Sequence, residues 1–97
     1  MDSCQSLQEV REHIDSIDRE IVALLACRGE LVKQAAGFKR SAAEVPAPER
    51  VEQVIAHVRS MAKAQGADCE VVESVYRAMI AAFIHAELQE HSRLESV

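Results

Sequence analysis

Between residues 7 and 38 the apolar side chains Leu7, Val10, Ile14, Ile17, Ile21, Leu24, Leu31, Ala35 and Phe38 recur at intervals of three and four, and no proline interrupts them. The beat breaks once, at Arg28. A period near 3.5 specifies a helix whose apolar seam faces another helix. It predicts a first helix from about residue 6 to about residue 41, spanning about 50 Å at 1.5 Å per residue. A compact chain of this size has a radius of gyration of only about 13 Å, so one copy cannot cover such a helix. The expected solution is a homodimer in which the long helices pair and the remaining helices wrap round them.

The rest of the 97-residue chain reads as two shorter helices. Residues 41–47 form a linker, and Pro48 suits a first helical turn because its missing N–H has no intrahelical partner there. Val51, Val54, Ile55, Val58, Met61 and Ala62 then mark the inner face of a second helix. Gly66 supplies a stop and Asp68 an N-cap, with Glu70 and Glu73 suited to the first turn of a third helix. That helix carries Val72, Val75, Tyr76, Met79, Ile80, Phe83 and Ile84 at helical spacing. The expected fold class is therefore all-α, with three helices in a single domain over residues 1–97 and a core from about 7 to 90.

Charge and cysteine usage narrow the function. The net charge is −5, and nucleic-acid binding needs a basic face that this balance does not supply. Cys4, Cys27 and Cys69 are odd in number and widely spaced, the pattern of reduced thiols in a cytoplasmic protein. The first ten residues contain no apolar signal core, and no stretch approaches the roughly 18 apolar residues of a membrane span. His13, His57, His85 and His91 show no metal-ligand spacing, and neither a metal nor a cofactor is expected.

Arg28 is costly to desolvate unless an anion meets it, either a core carboxylate or an anionic ligand. Lys39 follows it by eleven residues, which returns to nearly the same face about 16 Å along the axis. Two long cationic side chains at that distance can grip opposite ends of one small ligand. Arg11 lies seventeen residues before Arg28, about 25 Å away, and reaches the same groove only from a second copy. Arg50, in the first turn of the second helix, can close it. Glu87 falls on the apolar stripe of the third helix, four residues after Phe83 and seven after Ile80. It reads as a wet acid on a fraying end, as the core partner of Arg28, or as a protonated carboxyl that donates a hydrogen bond in a partly dry pocket. No nucleophile, phosphate loop or Cys/His pair accompanies these groups, which suits a reaction driven by positioning and electrostatics.

These residues resemble the all-helical chorismate mutases, including the related isochorismate pyruvate-lyases, over roughly residues 7 to 90. The motifs are Leu7-Gln-Glu-Val-Arg11-Glu-His-Ile-Asp-Ser-Ile-Asp18, Ile21-Val-Ala-Leu-Leu-Ala-Cys-Arg28, Phe38-Lys39 and Pro46-Ala-Pro-Glu-Arg50-Val51. The resemblance implies an intertwined homodimer with two active sites, each completed by the partner's first helix, and a small dicarboxylate substrate. Arg28 and the partner's Arg11 would bind the two carboxylates. Lys39 would bind a carboxylate and the ether oxygen, Arg50 would line the pocket, and Glu87 would face the ether oxygen. Lys39 and a protonated Glu87 would then stabilise the negative charge that the breaking C–O bond places on that oxygen. Mutases commonly carry an aspartate and a glutamate where this chain has Ala47 and Val51, and there it looks more like the lyases. Glu87 points back toward the mutases. The expectation is a chorismate mutase, with an isochorismate pyruvate-lyase and a non-catalytic helical dimerisation module as alternatives.

Overall fold

A computed structural model describes residues 3–38 and 48–95, without the side chains of His91, Leu94 and Glu95. It contains three helices, α1 (Leu7–Gly37), α2 (Pro48–Gln65) and α3 (Cys69–Glu95), and no strand among the described residues. The fold class is all-α, as the periodicity requires. Its contacts divide the chain into two compact units, Met1–Leu31 and Val32–Val97. None of the helices is long and apolar enough to cross a membrane.

The first unit is the greater part of α1. Ser6 caps it: its Oγ accepts the Glu9 N–H at 3.1 Å, and the Glu9 carboxylate reaches back to accept the Gln5 N–H at 3.0 Å. These paired bonds satisfy donors that have no partner in the helix itself. The seam predicted from the sequence lies open along this helix, with Leu7, Ile14, Ile17, Ile21, Leu24 and Leu31 all exposed in the single chain. Arg28 is half-buried. The helix ends at Gly37 rather than near residue 41, where the Phe38 N–H tightens onto the Ala35 carbonyl at 3.1 Å in a shorter, three-residue turn. Residues 39–41, which the expected helix also covered, lie outside the described residues, as does the linker.

In the second unit α2 and α3 pack as an antiparallel pair. Gly66 ends α2 at φ +74°, a left-handed conformation that glycine adopts without a Cβ penalty. The Ala67 N–H then bonds the Ala62 carbonyl at 2.8 Å and the Gly66 N–H bonds the Lys63 carbonyl at 3.3 Å, which closes the helix end. Two residues on, Asp68 Oδ1 accepts the N–H groups of Glu70 and Val71 at 2.9 and 3.2 Å and opens α3. The core is Ile55, Val58 and Ala62 of α2, Ile80 of α3, and Ala36 from the last turns of α1. Val51, Val54, Val72, Tyr76, Met79, Phe83 and Ile84 are half-buried, whereas Met61 and Val75, assigned to the inner faces by spacing, are exposed at their margins.

A chain of ion pairs runs along one side of this pair and fixes its register. Arg59 of α2 donates to Glu73 at 2.7 Å and to Glu70 at 3.2 Å; Arg77 of α3 donates to Glu73 at 2.7 Å and to Glu52 of α2 at 3.2 Å. Hydrogen bonds from Arg77 and then Arg59 hold the Glu73 carboxyl below its ordinary value. Hydrogen bonds to carboxylates raise both guanidinium groups, Arg59 chiefly through Glu73 and Arg77 chiefly through Glu52.

Candidate functional site

Of the five residues expected to form a site, four are described. Arg11 is exposed and Arg28 half-buried, and both stand on α1 in the first unit. Their seventeen-residue separation on a continuous helix keeps them about 25 Å apart, too far to share one small ligand within a chain. Lys39 lies outside the described residues.

Arg50 and Glu87 belong to the second unit. Arg50 is exposed in the first turn of α2, where Pro48 starts the helix. Glu87 is 6% exposed, the one charged side chain among the described residues that is fully buried. Its position follows from the helix period, since it continues the stripe of Tyr76, Ile80, Phe83 and Ile84 by a further turn. The register set by Glu52 beside Arg77 makes Arg50 level with about residue 79 of the antiparallel α3, so Glu87 lies roughly 12 Å further along the axis. An arginine side chain and a small ligand together span that interval. The reading of Glu87 as a wet acid on a fraying end is thereby overturned: α3 continues through Glu95, and the carboxyl is removed from water.

A shallow depression on α1 is lined by Asp15, Asp18, Arg19 and Val22. Two carboxylates against one guanidinium make it unsuited to an anionic ligand, and it contains none of the expected site residues. Sequence spacing also missed one grouping, in which Cys4, Glu9 and His13 bring a sulfur, a carboxylate oxygen and an imidazole nitrogen within 4.8 Å of one another. The Glu9/His13 spacing of four was legible as one helix face; the placement of Cys4, ahead of the helix, was not.

The sequence model of the family described as chorismate mutase type II matches residues 10–88. The chain belongs to the chorismate mutase type II family. It is also similar to the isochorismate pyruvate lyase of Pseudomonas aeruginosa, 36% identical over 88 residues that cover 91% of this chain and 87% of that protein. The T-protein of Haemophilus influenzae is 35% identical over 78 residues, 79% of this chain but 21% of that longer protein. The matched stretch contains Arg11, Arg28, Arg50 and Glu87 and runs through all three helices. The chain is thus an enzyme of a family described as chorismate mutases, and one of its relatives is named an isochorismate pyruvate lyase.

Proposed function

We propose that the chain converts chorismate to prephenate as a homodimer with two active sites. The observation that carries this reading is the burial of Glu87 in a chain of this family. A carboxyl held away from water, when protonated, is a hydrogen-bond donor in a medium of low polarity, where a bond to developing negative charge is strongest. In the pericyclic step the ether C–O bond breaks as the new C–C bond forms, and charge accumulates on the ether oxygen. Glu87 and Lys39 stabilise that oxygen. Arg28 and the partner's Arg11 grip the two carboxylates bidentately, and Arg50 lines the remaining wall. No residue forms a bond to the substrate; the acceleration comes from holding the reactive conformer and solvating its charge.

The open seam of α1 supports the dimer. Its exposed leucines and isoleucines form a continuous apolar stripe of the kind that a second helix covers. Complementation tests the shared site through turnover. Arg11→Ala and Arg28→Ala are each inactive alone. Unfolded together and refolded at equal concentration, they yield half heterodimers, each with one intact site, and recover about a quarter of the parent's prephenate formation. A mixture as inactive as its components refutes the contribution of Arg11 across the dimer.

A second reading, isochorismate pyruvate-lyase activity giving salicylate and pyruvate, is favoured by the similarity to the Pseudomonas aeruginosa lyase and by Ala47 and Val51 in place of the acids common in mutases. The same cations would serve it, since both substrates are dicarboxylates in which the bond between the ring and the enol-ether oxygen breaks.

A further inference from the structure

We infer that Cys4, Glu9 and His13 form a binding site for a thiophilic divalent cation of the zinc class. The potential ligand atoms, Cys4 Sγ, a Glu9 carboxylate oxygen and a His13 ring nitrogen, lie within 4.8 Å of one another. A tetrahedral zinc ion, with bonds of about 2.0–2.3 Å, needs its ligands about 3.4–3.6 Å apart. Closing that difference takes about 1 Å per pair, within reach of side-chain rotation at a surface where Cys4 and Glu9 are half-buried and His13 is exposed. Thiolate, imidazole and carboxylate together select zinc, cobalt or nickel over magnesium or calcium, which take oxygen ligands only.

Local structure already holds two of the three groups in place. Glu9 and His13 stand four residues apart on one face of α1. The Glu9 carboxylate is oriented by the Gln5 N–H at 3.0 Å, and its remaining lone pairs can serve a metal, as ligating carboxylates with a hydrogen-bonded second contact commonly do. Cys4 comes from the non-helical residues before the Ser6 cap, so a bound ion would pin that segment to the helix. With one thiolate and one carboxylate as ligands, the bound dication leaves the site neutral rather than positive, the less costly outcome beside a helix N-terminus. The thiol gives up its proton on binding, one per ion. Three protein ligands leave a fourth position for water or an exogenous group. Arg11 lies about 200° round the helix from both Glu9 and His13, so the ion and the Arg11 guanidinium occupy different sides of α1.

The full-length chain, reduced and freed of metal, is titrated with Co²⁺. The expected result is one equivalent per chain, with a sulfur-to-cobalt charge-transfer band and the visible absorption of a tetrahedral ion, displaced by Zn²⁺. Cys4→Ser abolishes the charge-transfer band, and His13→Gln weakens binding at least about tenfold. A Cys27→Ser/Cys69→Ser double variant binds as the parent does. Absence of binding at micromolar metal overturns the inference. So does binding that persists in Cys4→Ser or is lost in the double variant, which would place the ion on another thiol.

Discussion

Replacing Glu87 separates the roles a buried carboxyl can have. In Glu87→Ala the hydrogen-bond donor to the ether oxygen is lost from a position only 6% exposed. Loss of one donor to developing charge in a dry site costs about 10²–10³ in kcat, or about 3–4 kcal/mol of transition-state stabilisation. Because that charge appears only as the C–O bond breaks, KM should change little. Glu87→Gln keeps the volume and supplies an amide N–H at every pH, so it should retain turnover within about tenfold of the parent. Steady-state prephenate formation by the parent and both variants, each shown to be folded by circular dichroism, gives the readout. Equal kcat in the parent and Glu87→Ala refutes the role of Glu87. A Glu87→Gln variant as inactive as the alanine would mean that the site requires negative charge rather than a donor.

Other residues give independent tests. Arg28→Lys should lose most turnover while the protein remains folded, since a point charge cannot reproduce a bidentate grip on a carboxylate; unchanged kcat/KM in this variant removes Arg28 from the site. Asp68→Ala deletes the acceptor of two N–H bonds at the start of α3 and should cost about 1 kcal/mol, lowering Tm by about 4–8 °C at fixed protein concentration, with Asp68→Asn close to the parent. An unaltered Tm in the alanine variant contradicts the capping role. Glu73 is held below its ordinary value of 4.5 by Arg77 and Arg59. Its contribution to stability is therefore present above about pH 4.5 and is lost as pH falls through the lower folded value. In urea titrations Glu73→Gln should shrink the loss of stability below about pH 4.5, and an acid response identical to the parent's would show that the ion-pair chain does not couple to folding.

The features most legible in the sequence are those set by local chemistry. Pro48, Gly66 and Asp68 act where they stand, through a fixed φ, a left-handed turn and a side-chain cap, and each marks a helix boundary in the structure. The 3.5 period likewise determined which residues of α1 form its open seam. Where several weak preferences compete, the pattern is less informative: α1 stops at Gly37 although the apolar beat continues to Phe38, and Val75 is exposed although its spacing fits the inner stripe. Glu87 was legible as an anomaly, but its burial depends on how far α3 continues, which periodicity alone does not fix. The Arg59–Glu73–Arg77–Glu52 chain was not legible at all. It joins residues up to 25 positions apart and exists only once α2 lies against α3 in one register. The Cys4, Glu9 and His13 grouping needs the path of a non-helical segment, which spacing does not encode.

We propose that the cationic site acts on a ring dicarboxylate with an enol-ether oxygen, chorismate first. The most direct measurement gives the purified protein chorismate and isochorismate in parallel and quantifies prephenate against salicylate. Prephenate from chorismate is expected with the higher kcat/KM, and a larger value for salicylate would assign the chain to the lyase reading. Consumption of neither substrate by folded protein would rule out both activities for this chain.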